Sequence, residues 1–415
     1  MSTSATPRGE RIHIAIYGRS NVGKSSVINA LTGQELAVVS PVKGTTTDPV
    51  YKAMELLPLG PVILIDTAGL DDEGLLGEQR MQKTREILGR TDLALLVADA
   101  GVGADAFYVE LLAELRSKGI PVISVINKSD TVEDIQGVQN GIEATYGVKS
   151  VPFNALSGAG VAELKQAIID ALPHDNERFR ILGDLISPGD FVVMVVPIDK
   201  AAPKGRLILP QQQCIRDVLE SDAIAIVTKE HELKETLNHL GRKPRLVITD
   251  SQAFLKVAAD TPKEVPLTSF SILFARHKGE LNELVKGART IENLQDGDSV
   301  LIAEACTHHQ QSDDIGTVKI PRWLRQITGK QLHIEHAAGY SYPPDLSRYA
   351  LIVHCGACML NRKAMLHRIQ QSKAAEVPIV NYGVLIAYVH GIFPRAIELF
   401  PSAIMAWEES AESPV

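Results

Sequence analysis

The chain has 415 residues, 45% of them hydrophobic, which is enough for two or three domains with a core in each. Its formal net charge of −8 argues against general nucleic-acid binding, because a surface that tracks phosphates needs an excess of Lys and Arg. The polar start MSTSATPRGE lacks the apolar core of a signal peptide. Residues 378–393 are interrupted by Asn381, Gly383, His390 and Gly391, and are too short for the ~20 apolar residues of a membrane span. The expectation is a soluble, cytoplasmic protein with neither membrane nor nucleic acid as partner.

Over residues 11–172, apolar runs alternate with helix-like stretches. HIAIYG, PVILIDTAG, LALLVADA, PVISVINKSD and KSVPFNAL read as strands, with helices beginning near Ser25, Glu78, Ala106 and Val161. This alternation predicts a parallel sheet wrapped by helices. Residues 173–190, rich in charge, Pro and Gly, read as a linker. A smaller unit follows: FVVMVVPI, a helix near 211–221, AIAIVTK, a helix near 231–240, and RLVITDS. A third stretch, starting near Glu264, carries the strands SVLIAEAC, LHIEHAAG, YALIVHCGAC and VPIVNYG, and the closing EESAESPV is expected to fray. The expected organisation is therefore α/β throughout: a doubly wound sheet over 1–175, a small α/β domain over 184–263 and a further α/β domain over 264–415.

Gly18-Arg19-Ser20-Asn21-Val22-Gly23-Lys24-Ser25 fits GxxxxGK(S/T), follows a strand and opens a helix, as a phosphate-binding loop requires. Its glycines let backbone N–H groups wrap phosphates at a helix N-terminus. Gly18, Asn21, Gly23, Lys24, Ser25 and Ser26 are the expected contacts, with Lys24 on the β- and γ-phosphates and Ser25 on Mg²⁺. Asp66-Thr67-Ala68-Gly69 closes a second strand. Asp66 is expected in the Mg²⁺ shell and Gly69 N–H near the γ-phosphate. Asn127-Lys128-Ser129-Asp130 closes a third. A carboxylate at Asp130 accepts from guanine N1–H and the 2-amino group, a donor pair adenine lacks, so the expected ligand is GTP. Lys128 is expected to stack its stem over the base.

With these three motifs on successive strand ends, the N-terminal part resembles the TrmE/Era/Der-like class of small GTPases. The resemblance implies that Thr46, in Gly44-Thr45-Thr46-Thr47-Asp48, contacts Mg²⁺ and joins Lys24 and Asp66 as a catalytic residue. It also implies that Asn154-Ala155-Leu156 is the fifth, base-contacting motif, with Asn154 where Ser is usual. Asn21 matches the P-loop asparagine of potassium-activated members. Leu70 follows the Asp66–Gly69 motif where a water-orienting glutamine can stand, and leucine cannot polarise water. Slow hydrolysis, faster in K⁺ than in Na⁺ or dependent on a partner, is the expectation. Loops 44–48 and 70–77 are the candidate switches.

Four cysteines are too few for a disulfide scaffold. Cys306-Thr307-His308 ends one expected strand, and His354-Cys355-Gly356-Ala357-Cys358 ends another. Strand carboxyl ends are where open α/β sheets place ligands. The CxxC spacing with Cys306 points to a metal, either Zn²⁺ or a [4Fe-4S] cluster with one exchangeable iron. Cys214, on a helix without a metal-spaced partner, reads as a buried structural thiol. Trp323 and Trp407 read as core or interface residues.

The pattern Cys-x-His followed by His-Cys-x-x-Cys, with EACTHH, DDIGTVKIPRWL and NYGVLIAYVHGI around it, resembles the [FeFe]-hydrogenase maturation GTPases, the HydF family. The resemblance spans the whole chain, including a middle unit that dimerises in the family. It implies a GTPase scaffold that receives a transient diiron precursor, built with two radical-SAM maturases, and passes it to apo-[FeFe]-hydrogenase. Cys306, Cys355 and Cys358 match the ligands of the family's [4Fe-4S] cluster. His308, His354 and Asp313 are candidates for a fourth position. The alternatives are hydrogen bonding to sulfur for the two histidines and a solvated loop carboxylate for Asp313. A homodimer or higher oligomer is implied as well. The alternative function is a TrmE/Era-like GTPase acting on RNA or the ribosome with a structural zinc site.

Overall fold

Runs such as Leu93–Asp99 and Val122–Asn127 are apolar at nearly every position, the pattern of strands covered by helices on both faces. The computed structural model describes residues 8–33, 49–67, 86–172, 180–198, 207–305, 314–339 and 342–412. They fall into two compact units, Met1–Asp175 and Asn176–Val415.

The first unit has six strands: β1 (Ile12–Tyr17), β2 (Val50–Leu56), β3 (Gly60–Asp66), β4 (Leu93–Asp99), β5 (Val122–Asn127) and β6 (Ser150–Pro152), in the order β2-β3-β1-β4-β5-β6. All neighbours are parallel except β2, which runs antiparallel to β3. Separate apolar clusters fill the two faces. The five expected strands are present. β2 is not legible as a strand, because an edge strand with Lys52 and Glu55 has no continuous apolar run. Helices Lys24–Thr32, Ala106–Ser117 and Val161–Ala171 start within a residue of expectation. Helix Ile135–Tyr146 is an addition to it. Only Ile142 of that helix is buried, so its apolar face is narrow, and Asp134 caps it by accepting from Gly137 N–H. The helix expected near Glu78 begins outside the described residues.

The second unit holds two parallel four-stranded sheets. The first comprises β7 (Phe191–Val195), β8 (Ile224–Thr228), β9 (Leu246–Thr249) and β10 (Leu267–Ser269), in the order β10-β9-β7-β8. The other comprises β11 (Ser299–Glu304), β12 (His333–Ala338), β13 (Leu351–His354) and β14 (Ile379–Asn381), in the order β12-β11-β13-β14. One apolar core runs through both. β10 carries the first sheet past residue 263, and β8 is an edge strand with Ile224 and Val227 exposed.

The expectation of a linker over 173–190 is corrected at its C-terminal half. Ile181 and Leu182 are buried, and one oxygen of the buried Asp217 carboxylate accepts the N–H groups of Ile181, Leu182 and Gly183 at 2.9, 2.7 and 2.9 Å. Charge and glycine there describe a tight turn on an anion rather than a flexible tether. Cys214 is fully buried, and burial pushes its thiol well above the usual range, as a structural thiol requires. Trp323 and Trp407 pack on the core. Trp407 lies edge-on to Phe393 at 4.6 Å and Trp323 to His390 at 5.3 Å. Among the described residues no helix is long and apolar enough to cross a membrane.

Candidate functional site

Three loops at the carboxyl ends of β1, β5 and β6 are tied together before any ligand is considered. The knot is Asn127, 2% exposed: its amide donates to Val22 O at 2.8 Å, and its oxygen accepts Ala155 N–H at 3.2 Å. Ser129 N–H donates to Phe153 O at 3.1 Å, which holds the Asp130 turn against the loop that follows β6. Gly23, at φ 93°, leaves room for this: a Cβ there would run into Asn127 Nδ2. At Gly18, with φ 150°, a Cβ would meet Val97 O at 2.6 Å.

Lys24 is buried, and its ammonium donates to Gly18 O at 3.0 Å and Arg19 O at 2.7 Å, so it braces the arch of the loop. Ser25 Oγ donates to Asp66 Oδ2 at 2.5 Å, bringing the two expected Mg²⁺-side groups together. Burial raises the Asp66 carboxyl above its usual range, opposed by the Ser25 hydrogen bond and the charge of Lys24. Asn21 holds φ 63°, a left-handed conformation that asparagine tolerates better than most residues. Ser26 sits in the first turn of the helix that the loop opens. A cavity of about 210 Å³ borders residues 18–22, with Asp99, Phe107 and Lys128 among its walls.

Lys128 Nζ pairs with Asp99 Oδ2 at 2.6 Å, and Arg19 with Asp105 at 2.6 Å. Neither acid is visible as a partner in the sequence: Asp99 ends β4, and Asp105 caps helix Ala106–Ser117. Asp130 is exposed in the turn Ser129–Thr131, open to a ligand. The Asn154 amide oxygen accepts the N–H groups of Leu156 and Ser157 at 2.9 and 3.1 Å, so it shapes its own loop. Thr46, Gly69 and Leu70 lie outside the described residues.

The second site gathers where β11 and β13 end. Ala303 pairs with His354 in register, and Cys355 N–H donates to Ala303 O at 2.9 Å. The chain leading to Cys306 and the CxxC loop therefore leave the sheet side by side. Cys355 and Cys358 are half-buried thiols. Cys355 Sγ accepts Ala305 N–H at 3.1 Å. Burial pushes the Cys355 thiol up to about 11, against the pull of the Ala305 and Ala357 N–H groups. A metal at this site would displace that proton and bind the thiolate.

His354 is corrected as a metal ligand. The side chain is fully buried, Nδ1 faces Cys355 O at 2.8 Å, and Nε2 faces Arg368 Nη1 at 2.8 Å. Nδ1–H donates and Nε2 accepts, so both nitrogens are engaged and the imidazole is neutral. Burial first, then the Arg368 charge, lower its pKa to about 3. Arg368 also donates to Gly339 O at 2.7 Å, and Tyr382 OH donates to Glu304 Oε1 at 3.0 Å. Spacing gives no signal for Arg368, Glu304 or Tyr382, which arrive on separate elements. Cys306, His308 and Asp313 lie outside the described residues. Among the described residues no group of three or more His, Cys, Asp or Glu could hold a metal ion. The two described thiols nonetheless fit an iron–sulfur group: they are soft donors at a strand end, with a backbone N–H directed at one sulfur.

A family profile described as 50S ribosome-binding GTPase matches residues 13–128. Profiles described as Hydrogen maturase F dimerization domain and tetramerization domain match 181–279 and 282–399. GTPase Der of Rhizobium leguminosarum is 33% identical over 227 residues, 54% of this chain and 45% of that protein. The tRNA modification GTPase MnmE of Nitrosospira multiformis is 34% identical over 164 residues, 39% of this chain and 35% of that protein. The chain thus spans less than half the length of these curated relatives. Among solved structures, an Aquifex aeolicus Era variant bound to GDP.AlF4- aligns with TM-score 0.37 and 22% identity over 55% of this chain and 98% of that one. The FeoB G-domain of Methanococcus jannaschii aligns with TM-score 0.31 and 26% identity over 39% and 97%. The first unit has the P-loop GTPase fold. With two hydrogen maturase F profiles spanning just over half of its length behind a TrmE/Era/Der-like GTPase domain, the chain belongs to the hydrogen maturase F family.

Proposed function

We propose that this chain is a GTP-binding and GTP-hydrolysing scaffold that carries a [4Fe-4S] cluster and delivers a diiron precursor, made with two radical-SAM maturases, to apo-[FeFe]-hydrogenase in the cytoplasm. One observation carries the reading: two half-buried thiols stand at the end of β13, beside the strand that leads to Cys306, in a chain with an assembled phosphate loop. Cys306, Cys355 and Cys358 would hold the cluster. His308 or Asp313 would take the fourth position, since His354 has no nitrogen to offer. The cluster would supply an iron whose remaining position can exchange.

In this reading residues 1–175 are the GTPase domain, 184–263 dimerise and 264–415 hold the cluster. The exposed apolar edge of β8 supports the dimer, since an unpaired strand edge is a template for a second chain. Asp130 selects guanine, Lys24 and the P-loop amides hold the phosphates, and Ser25, Thr46 and Asp66 hold Mg²⁺. With Leu70 in place of glutamine, turnover is slow, and K⁺ beside Asn21 supplies the missing charge. GTP turnover is therefore expected to be faster in KCl than in NaCl at equal ionic strength, and equal rates would remove the cation.

The test of the whole is anaerobic purification of the full chain with iron, sulfide and solution mass measured, then addition to apo-hydrogenase. The parent is expected to be brown, dimeric or larger, and activating. If Cys306→Ala, Cys355→Ala and Cys358→Ala activate as well as the parent, the scaffold reading falls.

A further inference from the structure

The CxxC loop is pinned from the interior by a lysine distant in sequence. Lys278 is the last residue of helix Phe270–Lys278, and its side chain is 2% exposed. Its ammonium donates to Leu360 O at 2.9 Å, Cys358 O at 3.2 Å and Ala357 O at 3.3 Å. Three carbonyls surround one Nζ, an acceptor for each of the three N–H groups of an ammonium. A helix C-terminus favours a cation, and the ring of Phe274 lies 5.6 Å from Nζ.

The contact dictates how the loop runs. Ala357 holds φ 54°, a conformation that L residues keep only where their surroundings impose it. In a planar trans peptide the N–H points opposite to the carbonyl. Turning the carbonyls of Ala357 and Cys358 onto Lys278 therefore turns the N–H groups of Cys358 and Met359 away from it.

We infer that Lys278 is a positioning residue for the cluster: it sets the CxxC loop and fixes a buried positive charge beside it. The inference rests on the cluster reading proposed above. A [4Fe-4S] group on three thiolates is net negative and becomes more so on taking up one electron. A fixed cation stabilises the reduced state and raises the midpoint potential. No bond to Lys278 forms or breaks.

The test uses the full chain, reconstituted anaerobically with iron and sulfide, in three forms: parent, Lys278→Met and Lys278→Gln. Two readouts are taken: the midpoint potential in a dithionite titration followed by electron paramagnetic resonance, and the rate of iron loss to a ferrous chelator. Lys278→Met is expected to shift the potential downward and lose iron roughly tenfold faster, the usual scale for a group that supports a ligand. Lys278→Gln keeps donors for the loop without the charge; it is expected to shift the potential down while melting close to the parent. If Lys278→Met does not fold, Lys278→Gln decides. Parent-like potential and iron retention in the folded variants overturn the inference and leave the cluster reading standing. A parent that holds no iron overturns both.

Discussion

Asp130→Asn is expected to bind GTP ~30- to 150-fold more weakly than the parent and to gain affinity for xanthosine triphosphate. A carboxylate accepts from both N1–H and the 2-amino group. An amide offers one acceptor and one donor, so one hydrogen bond is lost and a donor faces a donor. Hydrogen bonds to charged groups are worth about 2–3 kcal/mol each, which sets the factor. Xanthine carries a carbonyl where guanine has the amino group, and that carbonyl accepts from the asparagine. The side chain is exposed on a turn held by Ser129 N–H to Phe153 O, so the substitution leaves the turn intact. Equilibrium titration with both nucleotides measures it; an unchanged GTP affinity would sink the assignment of Asp130 to the base.

Asp217→Ala is expected to destabilise the second unit by about 3–5 kcal/mol, at the high end for a single substitution. One buried carboxylate oxygen accepts three consecutive N–H groups, and alanine leaves all three without an acceptor in a site that water does not reach. For a unit of this size the melting transition falls by roughly 10 °C. Asp217→Asn keeps one acceptor oxygen and is expected to lose about half as much. Thermal unfolding of the full chain reads both. A loss under about 1 kcal/mol for the alanine variant would mean that the 180–183 turn does not depend on this anion.

The same contrast between local and distant information runs through the molecule. The phosphate loop, the Asn127–Asp130 motif and the two cysteine-bearing strand ends were legible in the sequence. Each is a contiguous run whose geometry follows from its own backbone: glycines that permit the turn, an apolar strand before it, a helix after it. Seven of the eight strands of the two parallel sheets were legible as well, the central ones because burial on both faces leaves apolar runs; the three-residue β10 carries no such run. β2 and helix Ile135–Tyr146 lie at the margin of the first unit, where half-exposed residues break that signal.

What the side chains do once the elements meet belonged to the tertiary structure alone. His354 abuts a cysteine and reads as a ligand, yet Arg368, from helix Arg362–Ala374, and a local carbonyl take both of its nitrogens. Asn127 belongs to a nucleotide motif, but its amide spans two loops, one more than a hundred positions away. Asn154 serves its own turn. No motif in the sequence marks Lys278, and its burial against the CxxC carbonyls exists only because helix Phe270–Lys278 ends beside the loop that follows β13. A motif determines which chemistry is available because its geometry is local. Which groups remain free to perform it depends on what distant elements bury and satisfy, since a buried donor or acceptor must find a partner wherever the fold places one.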